Sequence, residues 1–202
     1  MTRPLQIGVT GGIGSGKSIV CRILKAFGVP VYESDERARW LVDHDPILRA
    51  DIRRLLGPNA YEANGRYNRP WVAGQVFGRP ELLEQLNALI HPRVYADTLA
   101  WVEAQAGAPY VVKEAALMRA AGDGNTLDKV VVVHAPLDLR LQRIRHRDPH
   151  RTDDEIRSII DRQMPDEERL KLADFVIYND ERQLLIPQVV RLHEGFVGGS
   201  LN

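Results

Sequence analysis

The chain has 202 residues, of which 44% are hydrophobic and 27% are charged, as is typical of a globular protein with one sizeable domain. Lys+Arg and Asp+Glu both number 27, so the formal net charge is +0 and the basic excess typical of nucleic-acid-binding proteins is absent. The single cysteine excludes an internal disulfide, and no apolar run approaches the ~18 residues of a membrane span, so we expect a cytoplasmic protein with neither nucleic acid nor membrane as a partner.

The first predicted elements are a strand, a glycine-rich loop and a helix. Leu5–Thr10 is short and mainly apolar, which predicts a buried strand. After the glycines, apolar residues recur at helical spacing from Val20 to Phe27, so we predict a helix that Gly28 ends.

The loop between them, residues 11–18, reads GGIGSGKS and fits the pattern G-x-x-x-x-G-K-[ST]. Glycines let backbone N–H groups converge on phosphate oxygens, and the positive end of a helix that begins near Lys17 favours an anion. Lys17 can bridge β- and γ-phosphates, the Ser18 hydroxyl can bind Mg²⁺, and Ile19 offers the α-phosphate a backbone N–H but no second hydroxyl. The alternative is a glycine-rich turn that binds nothing. The predicted nucleotide-binding residues of the loop are Gly12, Ile13, Gly14, Ser15, Gly16, Lys17, Ser18 and Ile19.

A second short strand is predicted over residues 29–34, and Asp35 follows it directly. In a parallel sheet this strand can end close to the glycine loop. A carboxylate there could accept a hydrogen bond from an alcohol and take its proton as the alcohol attacks a γ-phosphate. The alternative role for Asp35 is to cap a helix over residues 36–42, unless Ser34 is that cap.

Residues 36–108 contain no convincing strand and are interpreted as a helical insertion. Apolar residues from Leu82 to Ile90 form a helical stripe that Pro92 interrupts or ends, and a further helix is expected to carry Trp101. Insertions at strand ends are where α/β folds place substrate sites.

Three more strands are predicted in the second half of the chain. One begins in residues 110–117, one is the β-branched run of residues 129–136, and one covers residues 174–180. The fold class is therefore α/β with a five-stranded parallel sheet. We divide the single domain into a core of residues 1–35, 109–140 and 164–202, an insertion of residues 36–108 and a lid of residues 141–163.

The predicted lid follows from an arginine-rich segment. Thr152 and Glu155 have the spacing of a capping box, so a helix should begin near Asp153. In a chain without net charge, this density of arginine favours a lid over phosphates rather than a solvated face. The arginines are Arg140, Arg143, Arg145, Arg147 and Arg151.

Motifs that the sequence lacks narrow the class of nucleotide-binding protein to which it can belong. Neither D-x-x-G nor N-K-x-D, which GTPases carry, occurs in the chain. The apolar fourth strand ends in His134 rather than in the acid that a motor ATPase needs. A kinase for a small molecule remains.

Motifs in a consistent order resemble the dephospho-coenzyme A kinase family. The matching segments are GVTGGIGSGKS, VYESDERAR, YNRPWVAGQVF, LLEQLNALIHPRV with its His91-Pro92 pair, RLQRIRHRD, the single residue Gln163 and ADFVIYND. The resemblance implies a nucleoside-monophosphate-kinase-like fold with a helical substrate domain and a lid. It also implies transfer of the ATP γ-phosphate to the 3′-hydroxyl of dephospho-coenzyme A, with Mg²⁺, as the last step of coenzyme A biosynthesis.

The resemblance also implies roles for individual residues. Lys17 and Asp35 would be catalytic, and Arg143 and Arg147 would neutralise the transferred phosphate, the alternative being a solvated arginine face. Asn179 would approach the adenine, or it is a plain turn residue. The implied substrate-binding residues are Thr10, Asp35, Arg69, His91 and Arg93, and for the two arginines a solvated surface position is the alternative.

The chain departs from the family pattern at its third strand. Glu114 stands where the family usually has Asp, and Ala116 replaces a proline. Glu33 replaces the first acid of the usual D-x-D pair. Another small-molecule or nucleotide P-loop kinase is the alternative function, and a non-catalytic nucleotide-binding module is a second one. We expect a monomer or a weak homo-oligomer.

Overall fold

The computed structural model describes residues 3–201, which divide into two compact units. Residues 3–32 and 105–201 form the first, called the sheet unit, and Glu33–Ala104 forms the second, called the helical unit. A short 3₁₀ turn, Pro58–Ala60, lies in the second unit. The strands and α-helices of the described residues are, in chain order, β1 (Leu5–Thr10), α1 (Lys17–Ala26), β2 (Val31–Glu33), α2 (Ser34–His44), α3 (Pro46–Leu56), α4 (Arg69–Val76), α5 (Pro80–Glu103), β3 (Tyr110–Glu114), β4 (Lys129–His134), α6 (Leu137–Arg147), α7 (Asp153–Asp161), α8 (Asp166–Lys171), β5 (Phe175–Tyr178) and α9 (Leu185–Val197).

The five strands form one parallel sheet in the order β2-β3-β1-β4-β5, which confirms the predicted α/β fold class. The first strand is central, with Ile7 opposite Val112 of β3 and Val9 opposite Val131 of β4. The strands β2 and β3 lie on one side of β1, whereas β4 and β5 lie on the other side. The loop after β1 therefore lies at a switch in strand order. Open α/β sheets bind their ligands at such points.

The bounds of β1 and of α1 agree with the prediction, whereas the other strands are shorter than predicted. In β2 the reason is local: the Val29 N–H donates to Leu24 O (3.1 Å) as α1 closes, and Gly28 has the positive φ of 79° that this closure requires. The strand then stops at Glu33 because α2 already begins at Ser34.

The apolar core of the sheet unit lies where β1, β3 and β4 face α1 and α9. Ile7, Val112 and Val131 of the strands contact this core together with Val20 of α1 and Val189 of α9. Each is almost fully buried, and burying such a side chain stabilises the fold by about 1.5–3 kcal/mol. This packing holds the start of α1 against the end of β1.

A lysine is buried on β3. Lys113 Nζ donates to Thr126 Oγ1 (2.8 Å), which donates in turn to Gln6 Oε1 (2.7 Å). Burial, with a smaller contribution from the charge of Arg3, lowers the pKa of Lys113 to about 8, while Asp128 opposes the shift. The ammonium form is therefore disfavoured by folding.

We expect the free energy of unfolding to rise with pH above about pH 8 because of Lys113. Below that pH the lysine is protonated in both states, so the cost of burying its charge is fully present. Between about pH 8 and the ordinary value of 10.5, the folded protein has released the proton and the unfolded chain has not, so the cost disappears. Urea denaturation of the wild type and of Lys113→Met at several pH values should show a rise of about 3 kcal/mol in the free energy of unfolding that the variant lacks. Equal pH profiles for the two proteins would contradict this expectation.

The helical unit has its own core, formed between α2, α3, α4 and α5. Leu48, Ile52 and Tyr61 are buried there, and the Tyr61 hydroxyl donates to Val42 O (2.9 Å). Asp45 caps α3 by accepting from the N–H groups at the start of that helix, which is the favoured use of an aspartate at this position.

Two helices of this unit differ from the prediction. The first residue of α2 is Ser34, and the cap position is held by Glu33 without a side-chain hydrogen bond, so neither Ser34 nor Asp35 caps the helix. The fifth helix continues through Pro92, which was expected to interrupt it. An internal proline costs about 3 kcal/mol, but buried side chains anchor α5 on both sides of it, Leu86 before and Val102 after.

The arginine-rich segment folds as α6 and α7. Thr152 and Glu155 form both hydrogen bonds of a capping box, and α7 begins at Asp153, which confirms that prediction. Within residues 3–201, none of the helices combines the length and the apolar character needed to cross a bilayer.

Candidate active site

The glycine loop joins β1 to α1, and its backbone adopts a conformation that favours glycine at two positions. Gly14 and Gly16 have φ angles of 79° and 96°, in the left-handed region that glycine adopts without strain. The N–H of Ser15 donates to Gly12 O (3.0 Å), which tightens the loop, and α1 begins at Lys17 directly after it. The loop therefore curls around the N-terminal end of a helix.

The residues of this loop fit a polyphosphate. The first turn of α1 has no acidic residue, so no carboxylate of that turn neutralises the positive helix end. The Ser15 hydroxyl oxygen is buried and has no hydrogen-bond partner within residues 3–201. N–H and hydroxyl donors around a helix N-terminus are the chemistry that phosphate oxygens need.

Lys17 and Glu114 form an ion pair at the mouth of this loop. Lys17 Nζ lies 2.5 Å from Glu114 Oε1, and the two side chains are only 16% and 10% exposed. The acid is the last residue of β3, next to β1 in the sheet, so the strand order brings the pair together. Sequence reasoning singled out both residues but missed their contact.

Behind the loop lies a buried arginine, which sequence reasoning placed at the end of the core but grouped with the arginines that favoured a lid. The Arg140 guanidinium is 3% exposed; its Nε donates to Ile13 O (2.9 Å) and its Nη1 to both carboxylate oxygens of Asp166 (2.9 and 2.7 Å). Asp166 also accepts from Arg169. A Cβ at Gly12 would lie 2.5 Å from Arg140 Cζ, so the glycine makes room for this contact.

Asn179 also contacts the loop. Its side-chain Nδ2 donates to Ser15 O (2.8 Å), and its backbone N–H donates to His134 O (2.8 Å) at the end of β4. A side chain at Gly16 would collide with the Asn179 amide. The structure thus places Asn179 against the protein backbone of the loop, and its approach to an adenine stays a prediction.

The two arginines predicted to meet the transferred phosphate bind protein groups. Arg143 donates to Asn179 O (3.0 Å) and to Glu181 Oε1 (3.3 Å). Arg147, at the end of α6, forms a bidentate pair with Asp148 (3.1 and 2.8 Å) and is largely exposed. Of these two arginines, Arg143 is the one that contacts Asn179, which itself contacts the loop.

The remaining predicted residues of the sheet unit lie at the two ends of the loop. Thr10, the last residue of β1, is buried and its hydroxyl donates to Ala116 O (3.3 Å). The side chains of Ser18 and Ile19 are exposed in the first turn of α1. The Ile19 N–H donates to Gly16 O (2.9 Å) within the helix start.

The predicted acceptor-side residues belong to the helical unit. Asp35 is exposed in the first turn of α2, and His91 is exposed on α5. Arg69, at the start of α4, donates to Arg39 O (3.3 Å).

Arg93 has a structural partner in the same unit. Its Nε donates to Asp45 Oδ2 (2.7 Å), so α5 is tied to the cap of α3. Burial alone would raise the pKa of Asp45, but hydrogen bonds from the Leu48 N–H and from Arg93 hold it below its ordinary value. A contact between Arg93 and an acceptor phosphate stays a prediction.

Comparison with known proteins identifies the family of this chain. The model of the dephospho-CoA kinase family matches residues 5–184. A Porphyromonas gingivalis protein named dephospho-CoA kinase is 38% identical over 190 residues, 94% of this chain and 93% of the relative. One from Chlorobaculum tepidum is 40% identical over 183 residues, 88% of this chain and 87% of the relative.

Two solved structures share the fold of this chain. The crystal structure of TT1252 from Thermus thermophilus superposes with a TM-score of 0.81 at 32% identity, over 95% of this chain and 97% of that one. The dephospho-CoA kinase from Campylobacter jejuni, at 23% identity, shares the fold with a TM-score of 0.65 over 95% of this chain and 96% of that one. The family match runs from β1 to the residue before α9, so it includes the glycine loop, all five strands and the side chains that contact the loop. The chain therefore belongs to the dephospho-CoA kinase family.

Proposed function

We propose that this protein transfers the γ-phosphate of ATP to the 3′-hydroxyl of dephospho-CoA, giving CoA and ADP. The observation that carries the proposal is the glycine loop, with left-handed Gly14 and Gly16 at the N-terminal end of α1, in a chain of this family. Such a loop binds a polyphosphate through backbone N–H groups and through the lysine that follows it.

The loop side of the proposed site is Lys17 and Ser18. Lys17 would bridge the β- and γ-phosphates, held in place by its ion pair with Glu114. Mg²⁺ uses few protein ligands beside phosphate oxygens and water, so the exposed Ser18 hydroxyl at the start of α1 fits it. When bound, Mg²⁺ neutralises charge on the phosphate oxygens.

The acceptor side is proposed to lie in the helical unit, with Asp35 as the base or orienting group. The 3′-oxygen forms a bond to the γ-phosphorus, and the bond from that phosphorus to the β,γ-bridging oxygen breaks. The hydroxyl proton passes to the Asp35 carboxylate, and ADP leaves. Thr10, Arg69, His91 and Arg93 are proposed to contact dephospho-CoA.

Arg143 and Arg147 are proposed to move from their present partners to the transferred phosphate. Each pairs with a carboxylate, and one member of each pair is largely exposed to solvent, Glu181 in the first pair and Arg147 in the second. Exposed pairs contribute roughly 0–1 kcal/mol, so a phosphate can replace them at little cost. Asn179 is proposed to lie near the nucleotide base while its amide supports the loop.

We also propose that the protein works in the cytoplasm as a monomer or a weak homo-oligomer, without nucleic acid. The zero formal net charge supports the last point, and a single buried cysteine suits a reducing compartment.

An assay with Mg-ATP and a panel of acceptors tests the proposed function. Dephospho-CoA should give CoA and stoichiometric ADP, while a nucleoside, a nucleoside monophosphate and shikimate should not be phosphorylated. Turnover of another alcohol but not of dephospho-CoA would favour a different small-molecule kinase. ATP binding without turnover of any acceptor would favour a non-catalytic module.

A further inference from the structure

Ile13 is the residue of the glycine loop whose two backbone groups are both bound by distant side chains. Its carbonyl accepts from Arg140, and its N–H donates to Gln163 Oε1 (2.9 Å). Gln163 lies two residues after the end of α7 and is half-buried. The carboxamide oxygen thus occupies an N–H of the segment that P-loops offer to phosphate.

A phosphate oxygen and the Gln163 carboxamide are competing acceptors for this N–H. The amide oxygen is neutral, whereas the phosphate oxygen is charged, and hydrogen bonds to a charged acceptor are roughly twice as strong. A nucleotide can therefore displace the carboxamide, but its affinity is reduced by the bond that it must break.

The loop backbone also has side-chain contacts besides the one from Gln163. Arg140, tied to Asp166, holds Ile13 O, and Asn179 holds Ser15 O. Loss of the carboxamide would leave these contacts in place and would free the Ile13 N–H.

We propose that Gln163 is a positioning residue that sets the affinity for the nucleotide by occupying the Ile13 N–H until a phosphate replaces it. The inference rests on the proposed function in one respect, namely that the loop binds a nucleotide. It assigns Gln163 a role in binding that acts through the loop backbone.

Two substitutions separate this role from a structural one, because the two roles predict opposite changes in the affinity for Mg-ATP. Gln163→Leu removes the competitor, so calorimetric titration with Mg-ATP, without acceptor, should show about three- to ten-fold tighter binding. Gln163→Glu keeps an acceptor and adds a negative charge, which strengthens the competing bond and repels phosphate, so binding should weaken at least about ten-fold. If Gln163 only supported the loop, Leu would weaken binding and Glu would preserve it.

Lys171→Gln is the matched control, because Lys171 is exposed at the end of α8 and its replacement changes the net charge by the same amount as Gln163→Glu. Its ATP affinity should stay within about two-fold of the wild type. Amide hydrogen exchange gives an independent readout: in the absence of nucleotide, the Ile13 N–H should exchange faster in Gln163→Leu than in the wild type.

The possible failures are distinguishable. A wild type that does not bind Mg-ATP would overturn the proposed function and this inference together. A wild type that binds Mg-ATP, with weaker binding by a folded Gln163→Leu or unchanged binding by Gln163→Glu, would overturn only the inference. Thermal unfolding of each variant establishes that it is folded.

Discussion

Replacement of Lys17 by methionine is expected to lower kcat/KM for Mg-ATP by about 10²- to 10³-fold, the cost of removing one well-placed group that stabilises developing charge. The ammonium is held at the loop by Glu114, in a pair of which little is exposed to solvent. Methionine has nearly the same length, so the packing beside α1 is kept while the charge is lost. Steady-state kinetics with dephospho-CoA as acceptor measure the effect.

The control for Lys17 is Lys25→Met, an exposed lysine in the last turn of the same helix, which should keep normal kinetics. Urea denaturation should accompany the kinetics, because Lys17→Met leaves the Glu114 carboxylate buried without its partner and should therefore also reduce stability. A folded Lys17→Met variant with normal kcat/KM would remove Lys17 from phosphate binding.

Asp35→Asn is expected to lower kcat by at least about 10²-fold while the affinity for ATP is kept. The substitution preserves size and hydrogen-bonding capacity but removes the basic carboxylate. Since Asp35 is exposed in the first turn of α2, loss of its favourable interaction with the helix end should cost only about 0.3–1 kcal/mol of stability. Single-turnover measurements of product, with calorimetric titration of Mg-ATP, separate chemistry from binding.

Asp51→Asn is the matched control for Asp35, because Asp51 lies in the same helical unit and pairs only with the exposed Arg54 among the contacts of the described residues. This variant should retain the wild-type kcat. A kcat near the wild-type value for Asp35→Asn would exclude Asp35 as the base or as an essential orienting group.

The parts of the fold that sequence reasoning predicted correctly depend on local patterns. The strand Leu5–Thr10, the helix that begins at Lys17 and the capping box at Thr152 are each encoded within a few residues. The course of α5 through Pro92 is not, because it depends on tertiary burial, of Leu86 in the core of the helical unit and of Val102 near the end of the helix, which the local sequence does not display.

The candidate site shows the same limit more clearly. The glycine pattern predicted where the loop lies, and a positive φ at Gly14 agrees with the need for glycine. The side chains that hold the loop could not be found this way, since Arg140 and Gln163 are 127 and 150 residues away from Ile13 along the chain. Charge patterning grouped Arg140 with the exposed arginines of α6, because a pattern of charge does not tell a buried guanidinium from a solvated one.

The contacts of Arg140 and Asn179 with the loop also bear on the order in which the molecule forms during synthesis. Residues of the glycine loop leave the ribosome before Asn179, which binds Ser15 O and comes 164 residues later in the chain. Contacts of such long sequence separation are made late in folding, since the intervening chain must first be ordered. A nascent chain that has not yet extended beyond β5 therefore carries the complete nucleotide-binding motif without the contact that Asn179 makes with it.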